Sequence, residues 1–186
     1  MKNISIISAS VRKGRSSHRV TLYLKKFLEQ KHNATVSIID LKDLDFPLFD
    51  ERLKFIENPT EAMLALADEI SKADGIIVVT PEYNGGYPAS LKNIIDLLYA
   101  EWKRKPIGIA TVSAGAFGGS QVITSLQFSL WKIGALVVPA MFPVATVEKT
   151  FDEHGKPSDE VSTDKKATAF INELIWWIDA KQKMES

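Results

Sequence analysis

The residues best suited to chemistry form a serine- and arginine-rich segment near the N-terminus, Ser8-Ala-Ser-Val-Arg-Lys-Gly-Arg-Ser-Ser-His-Arg. Hydroxyl groups, guanidinium groups and the unpaired amides of a first helical turn all favour a phosphate. The chain as a whole is neutral, with 23 Lys and Arg against 23 Asp and Glu. The segment therefore predicts a local anion site, although a solvated turn that caps a helix has the same composition. The first 28 residues contain no acid and seven cations: Lys2, Arg12, Lys13, Arg15, Arg19, Lys25 and Lys26.

The absence of two known motifs limits the phosphate-bearing ligands that this segment could bind. It has neither G-x-G-x-x-G, the dinucleotide fingerprint, nor G-x-x-x-x-G-K-[ST], the P-loop. A monophosphate therefore fits better than a pyrophosphate or a triphosphate. Asp40 stands where a Rossmann protein would hold a ribose, but we interpret it as a turn residue because the glycine pattern is missing.

Two later segments are rich in glycine. In Thr80-Pro-Glu-Tyr-Asn-Gly-Gly-Tyr-Pro, Pro81 stiffens the backbone, while Gly85 and Gly86 leave room for a flat ligand against exposed amides. In Ser113-Ala-Gly-Ala-Phe-Gly-Gly-Ser, three glycines form a low wall that a ring can approach, with Phe117 near it. Each segment alone is also typical of an ordinary loop that precedes a helix.

The rest of the chain alternates between short apolar runs and longer amphipathic ones. Several short runs are apolar at consecutive positions, which indicates a parallel sheet covered on both faces. We treat residues 1–186 as a single domain, and right-handed crossovers leave two solutions, the flavodoxin-like strand order 2-1-3-4-5 or a Rossmann-like half. The predicted strands are Ile4–Ser8, Thr35–Asp40, Gly75–Thr80, Ile107–Val112 and Ala135–Pro139. The predicted helices are Ser17–Gln30, Thr60–Lys72, Pro88–Trp102, Ser120–Ile133 and Thr163–Lys183, with Ser120 and Thr163 as caps.

Two irregular segments interrupt this alternation. The first, Leu41–Pro59, contains three phenylalanines, so we expect it to pack on another surface. The second, Phe142–Ser162, contains Asp-Glu-His-Gly-Lys-Pro, a turn signature in which Gly155 is expected to have a positive φ.

Ligands of open parallel sheets bind outside the carboxyl ends of the strands. The serine- and arginine-rich segment follows the first predicted strand, and the glycine segments follow the third and fourth. Together they predict one site that binds a phosphate at one edge and a planar ring between the two glycine loops. FMN, with one phosphate, a flexible ribityl arm and an isoalloxazine ring, has this shape.

Composition excludes several other classes of site. The chain has no cysteine, which rules out disulfides, thiolate zinc sites, iron–sulfur clusters and cysteine nucleophiles. Its three histidines show no metal-ligand spacing with carboxylates, so no metal site is predicted, and no G-x-S-x-G motif is present. A neutral balance disfavours nucleic acid as a partner. No apolar window reaches the ~20 residues of a membrane span, and no signal peptide is predicted, so we expect a cytoplasmic protein.

The motif Ser10-Val-Arg-Lys-Gly-Arg-Ser-Ser, followed by Pro81-Glu-Tyr-Asn-Gly-Gly-Tyr-Pro-Ala-Ser-Leu-Lys-Asn-Ile-Ile-Asp, resembles the NADPH-dependent FMN reductase family. The resemblance extends over roughly residues 2–140, and the second motif is its specific part. It implies the flavodoxin-like fold, a three-layer sandwich around a five-stranded parallel sheet of order 2-1-3-4-5. That family includes bacterial quinone, chromate and azo-dye reductases.

Position by position, the resemblance implies that all three loops bind the cofactor, while the flavin itself carries the chemistry. Ala9 stands where many relatives have glycine, and Arg15 lengthens the gap between Arg12 and the next serine. Which of Ser16 and Ser17 matches the serine of the family motif is therefore open. The implied phosphate ligands are Ser10, Arg12, Ser16 and Ser17, with a contact from the backbone or ring of His18. The implied neighbours of the isoalloxazine ring are Pro81, Glu82, Tyr83, Asn84 and Gly85 on one edge and Ser113, Ala114, Gly115 and Gly118 on the other.

The resemblance also implies a reaction. NADPH or NADH would deliver hydride to flavin N5, and a small acceptor such as a quinone, an azo compound, chromate or free flavin would then be reduced. Relatives form dimers or tetramers, so a homodimer or homotetramer is expected, with the apolar surface supplied by Phe46, Phe49, Phe55 and the helix that follows Pro88.

Two alternatives remain open. A flavodoxin-type electron carrier would bind the same cofactor, but such carriers are strongly acidic and this chain is neutral. A phosphate-ligand-binding domain without a redox role is compatible with the serine- and arginine-rich segment taken alone.

Overall fold

A computed structural model describes residues 1–185 and is built around a five-stranded parallel sheet. The strand order is β2-β1-β3-β4-β5, and every neighbouring pair is parallel. This confirms the flavodoxin-like order and rejects the Rossmann-like half. The strands are β1 (Asn3–Ser8), β2 (Thr35–Asp40), β3 (Gly75–Pro81), β4 (Pro106–Val112) and β5 (Leu136–Val144).

Helices cover both faces of the sheet and complete the predicted three layers. One apolar core lies beneath the first and last helices, and the other lies beneath the second, third and fourth helices. No helix within residues 1–185 combines the length and the apolar character that crossing a bilayer requires. The helices are α1 (Ser17–Lys31), α2 (Glu61–Lys72), α3 (Ala89–Leu97), α4 (Ser120–Lys132), α5 (Val147–Thr150) and α6 (Glu160–Glu185), with short 3-10 turns at Leu53–Phe55 and Ala100–Trp102.

Most helix ends lie within one residue of the prediction, and the larger differences concern the end of α3, the cap of α4 and the start of α6. The third predicted helix was too long, because the chain becomes extended at Leu98, with ψ 154°. Gly119, with φ +72°, is the N-cap of α4 in place of Ser120. The last helix begins three residues earlier than expected, where the Asp159 carboxylate accepts the Ser162 N–H at 3.0 Å. Thr163 therefore lies inside the first turn and is not the cap.

The last strand is longer than predicted and runs through two prolines, Pro139 and Pro143. A proline lacks the N–H that a central strand needs, so it is tolerated only at edges and bulges. The strand satisfies both conditions, because it lies at the edge of the sheet and its register against β4 shifts between Ile107 and Ile109.

Close packing of α6 on the sheet depends on a glycine in β4. A Cβ placed on Gly108 would lie 2.7 Å from the Phe170 ring, which is too close for any side chain.

Gly155 has φ +77°, as predicted for its turn, and a Cβ there would lie 2.6 Å from the Arg19 carbonyl oxygen. The turn in the second irregular segment therefore packs directly on α1.

The first irregular segment packs on the sheet layer only in part. Phe46 is partly buried against the second core, while Phe49 and Phe55 remain 40% and 59% exposed. The segment is held by Asn93 on α3, whose side-chain oxygen accepts the Phe49 N–H at 2.6 Å and whose amide donates to the Pro47 carbonyl at 2.8 Å. The prediction that the segment packs on another surface is therefore right for one of its three phenylalanines.

Candidate functional site

A cleft of about 450 Å³ lies at the carboxyl edge of the sheet. It is lined by residues from four segments of the chain, within 10–17, 81–83, 112–119 and 147–148. Its size is within the range of small-ligand pockets, roughly 300–1,000 Å³. The three loops singled out in the sequence thus meet as expected, and a fourth segment after β5 joins them.

One end of this cleft is formed by the start of α1. Ser16 is the N-cap, and its side chain makes no capping hydrogen bond. Ser17 is only 4% exposed, and its hydroxyl oxygen has no partner among residues 1–185. The guanidinium of Arg12 also lacks a hydrogen bond or ion pair within those residues. Since helix N-termini attract anions, this end of the cleft has unsatisfied donors arranged for one.

Arg15, another cation of this loop, is already engaged. Both of its terminal nitrogens donate to the Asp40 carboxylate at the end of β2, and one also donates to the Ser10 carbonyl at 2.8 Å. Asp40, which we predicted to be a turn residue, is the last residue of β2, and its carboxylate also accepts the Lys42 N–H at 3.1 Å in the turn that follows. The ion pair with Arg15 has no local sequence signal, because the partners are distant in the chain.

The ion pair controls the protonation of its carboxylate. Burial acts to raise the pKa of Asp40, but the hydrogen bonds from Arg15 and from the Lys42 N–H outweigh it, and the pKa falls below its ordinary value. Asp40 therefore stays ionised and keeps Arg15 in place.

The ring of His18 lies outside the cleft. Its Nδ1 is 3.0 Å from the Ser8 hydroxyl and 3.6 Å from an Asp40 carboxylate oxygen. Burial, followed by the positive charge of Arg15, lowers the pKa of His18 below its ordinary value, so the ring is neutral near pH 7. The ring contact predicted for His18 therefore has no support in this geometry, and the contact through its backbone N–H, in the first turn of α1, stays a prediction.

The loop after β3 is joined to the loop after β1. The hydroxyl oxygens of Tyr83 and Ser10 are 2.7 Å apart. Tyr83 and Gly86 exchange backbone hydrogen bonds of 2.8 and 3.0 Å around Asn84 and Gly85, whose φ values are +52° and +78°. These are the features of a two-residue hairpin turn of type I′, for which Asn-Gly is the preferred sequence. Asn84 and Gly85 therefore shape the turn from its tip, and neither lies on the cleft wall.

Glu82 lines the cleft, but its carboxylate has a structural partner. It accepts the backbone N–H groups of Gln121 at 2.9 Å and Val122 at 3.3 Å, in the first turn of α4. A carboxylate at a helix N-terminus satisfies otherwise unpaired donors and interacts favourably with the helix dipole. The loop after β3 is thus fixed to α4, a contact that the sequence did not indicate.

The loop after β4 is fixed to the segment after β5. The Ser113 hydroxyl donates to the Gly115 carbonyl at 2.9 Å, and the Thr146 N–H donates to the same carbonyl at 2.9 Å. Ser113, Ala114 and Gly115 line the cleft as predicted, whereas Gly118 does not and Gly119 does. Phe117, also on the cleft wall, is 86% exposed.

Glu148 is a cleft residue that sequence reasoning missed. It lies on α5, and its Oε1 accepts a hydrogen bond from the Ser16 hydroxyl at 3.0 Å. The sequence showed only an irregular segment there, because Glu148 reaches the α1 end of the cleft through tertiary packing across 132 positions.

The chain is similar to known proteins along most of its length. The NADPH-dependent FMN reductase family model matches residues 2–149. The NAD(P)H-dependent FMN reductase LOT6 of Saccharomyces cerevisiae is 32% identical over 160 residues, which cover 77% of this chain and 83% of the relative. A quinone reductase of Pseudomonas putida is 28% identical over 183 residues, covering 95% and 94%. The structure of FerB, a flavoenzyme NAD(P)H:(acceptor) oxidoreductase from Paracoccus denitrificans, matches with a TM-score of 0.78 at 25% identity, covering 97% and 98%.

Proposed function

This chain belongs to the NADPH-dependent FMN reductase family, and on that premise we propose that it binds FMN in the cleft and uses NADPH or NADH to reduce a small acceptor. One observation carries the assignment of the cleft. The buried Ser17 hydroxyl has no partner among residues 1–185 and lines the cleft at the start of α1. An unmade hydrogen bond of this kind costs free energy that a bound phosphate oxygen recovers.

The phosphate of FMN is assigned to Ser10, Arg12, Ser16 and Ser17, together with the backbone N–H of His18. Arg12 is suited to this role because its guanidinium has no other partner within residues 1–185. Ser17 is favoured over Ser16 as the first hydroxyl ligand, since the Ser16 hydroxyl already donates to Glu148.

The isoalloxazine ring is assigned to the slot between the loops after β3 and β4. Pro81, Glu82 and Tyr83 form one wall and Ser113, Ala114 and Gly115 the other. Asn84, Gly85 and Gly118 act indirectly, by setting the turns from which these walls are built. The hydrogen bonds that link the walls to α4 and to the segment after β5 support a slot formed before the ring enters.

Once bound, FMN would supply the redox chemistry, namely hydride transfer from NADPH or NADH at N5 and reduction of a quinone, an azo compound, chromate or free flavin. The protein's part is to bind and orient. No histidine of residues 1–185 lines the cleft, and Glu82 is engaged in capping α4. We therefore assign no side chain as a proton donor for the hydride step.

The decisive experiment is spectroscopic. Purified protein with FMN should be yellow after gel filtration, and anaerobic NADPH or NADH should bleach the flavin band. Protein that retains no FMN would overturn the proposal in favour of a phosphate-ligand-binding domain without redox activity. Protein that binds FMN but is not bleached by either nucleotide would instead support the electron carrier.

Two exposed phenylalanines, Phe49 and Phe55, supply apolar surface suited to contacts between subunits. We propose a cytoplasmic homodimer or homotetramer, supported by the exposed rings of Phe49, whose backbone is bonded to α3, and of Phe55. Apolar surface of this kind is typical of subunit contacts. Sedimentation velocity should show a dimer or tetramer at micromolar concentration, and a monomer alone would reject this part of the proposal.

A further inference from the structure

The α1 end of the cleft contains a carboxylate that the assignment of the phosphate does not use. The Ser16 hydroxyl donates to Glu148 Oε1 at 3.0 Å, and both residues line the cleft together with Arg12. Glu148 forms no ion pair within residues 1–185, not even with Arg12. An uncompensated negative charge therefore faces the place where a negatively charged phosphate is expected.

The backbone that carries Glu148 is held in position. The Thr146 N–H donates to the Gly115 carbonyl at 2.9 Å, and the Val147 N–H donates to the Ser113 carbonyl at 3.1 Å. Thr146 has φ +44°, a left-handed conformation that few non-glycine residues adopt. The Glu148 side chain itself is exposed, so it can rotate toward solvent while α5 stays in place.

A carboxylate and a phosphate compete for the same donor here. The serine hydroxyl has one hydrogen to donate, and an ionised carboxylate can only accept. We propose that Glu148 competes with the phosphate of FMN for the Ser16 hydroxyl and so keeps the cofactor exchangeable. The proposal rests on FMN binding in this cleft. When the phosphate enters, the Ser16 O–H turns from Glu148 to a phosphate oxygen, and the carboxylate moves out into water.

The test is Glu148→Gln, which keeps the shape of the side chain and removes its charge. We expect the dissociation constant for FMN to fall by about three- to tenfold at low salt, because a repulsive charge within a Debye length of the phosphate is gone. The dissociation rate of FMN should slow in parallel, and the gain should shrink as salt is added. Riboflavin, which lacks the phosphate, should bind both proteins equally. Flavin fluorescence titration and stopped-flow dilution measure these quantities.

Glu29→Gln is the matched control, since it removes the same charge from an exposed carboxylate about 18 Å from Ser17 along α1 and should leave FMN affinity unchanged. Glu148→Ala removes the acceptor as well as the charge, whereas the amide oxygen of Gln can still accept from the Ser16 hydroxyl. Glu148→Ala should therefore tighten FMN binding more than Glu148→Gln does, and equal gains in the two variants would show that charge alone acts and would overturn the competition for the hydroxyl. Unchanged or weaker FMN binding by Glu148→Gln, or an equal gain for riboflavin, would overturn the competition. Failure of the wild-type protein to bind FMN would instead reject the proposed function, and this inference with it.

Discussion

Ser17 and Thr21 lie one helical turn apart on α1, and each buries a hydroxyl oxygen that has no partner among residues 1–185. Only Ser17 also lines the cleft. Both hydroxyls carry a desolvation cost, which a phosphate bound at the start of α1 would relieve at Ser17 alone. Substitutions at these two residues therefore distinguish an effect on the stability of the fold from an effect on ligand binding.

Replacing Ser17 by Ala should change stability and binding in opposite directions. The free energy of unfolding should stay the same or rise by up to about 1 kcal/mol, because an unsatisfied buried hydroxyl is removed. FMN affinity should fall about tenfold or more, the value of a hydrogen bond to a charged group. Urea unfolding and fluorescence titration measure the two effects. Thr21→Val is the control, with a similar effect on stability and none on FMN; a Ser17→Ala protein that binds FMN normally would contradict the assignment.

Arg12→Ala should weaken FMN binding by about 1.5–3 kcal/mol, the range of a charge-assisted hydrogen bond. Isothermal titration of the protein with FMN checks this. Lys13→Ala removes an equal charge from the neighbouring exposed residue, which does not line the cleft, and should have a much smaller effect. Equal losses in the two variants would indicate a general electrostatic attraction, and no loss in Arg12→Ala would reject it as a phosphate ligand.

Asp40→Asn should destabilise the protein at neutral pH by at most about 3 kcal/mol, because Arg15 loses its charged partner but keeps the Ser10 carbonyl. The pKa of Asp40 is lowered in the folded state, so its contribution is fully present above the ordinary value of 3.8. That contribution should be lost as the pH falls through the lower, folded-state pKa.

Urea unfolding of wild type and variant at a series of pH values tests this linkage. The difference between the two proteins should be constant at neutral pH and should narrow only in acid. Asp43→Asn, an exposed carboxylate in the same turn, is the control and should show little difference at any pH. A wild-type advantage that persists unchanged in acid would show that the Asp40 carboxylate does not supply it.

Glu82→Ala should lower the free energy of unfolding by about 0.5–2 kcal/mol, the cost of losing a helix cap. Glu82→Gln should cost less, since an amide oxygen can still accept the Gln121 N–H but no longer favours the helix dipole. Thermal or urea unfolding reports both values. Glu57→Ala, at an exposed position, provides the comparison. Equal stability of Glu82→Ala and wild type would show that the cap is dispensable.

Much of the fold could be predicted because it depends on local patterns. Consecutive apolar residues in strands such as β3 indicated a sheet covered on both faces, and strand and helix positions followed from periodicity. The predicted ends of helices and strands were wrong where contacts between residues far apart in the chain fix those ends. The last strand was predicted to end at Pro139 but continues through Pro143 to Val144, because its place at the edge of the sheet makes both prolines acceptable.

For the candidate site, too, the positions of the loops could be predicted from the sequence, but the contacts of individual side chains could not. That three loops would meet at one edge followed from their positions after the parallel strands, and the positive φ of Gly155 and the turn at Asn84 and Gly85 have local signatures. Which side chains face the cleft did not follow. Glu82 was expected beside a ring and also caps α4, and His18 was expected at the phosphate but points its ring to Ser8.

The sequence by itself determined the order of elements, the edge of the sheet at which the candidate cleft forms and the composition of the serine- and arginine-rich segment, because hydrophobic periodicity and turn chemistry act between near neighbours. Only the tertiary structure decided that Arg15 is occupied by Asp40, that Arg12 and Ser17 are left without partners within residues 1–185, and that Glu148 reaches Ser16. Those outcomes depend on contacts between residues far apart in the chain, and no local pattern encodes which of several equivalent cations or hydroxyls a distant carboxylate will meet.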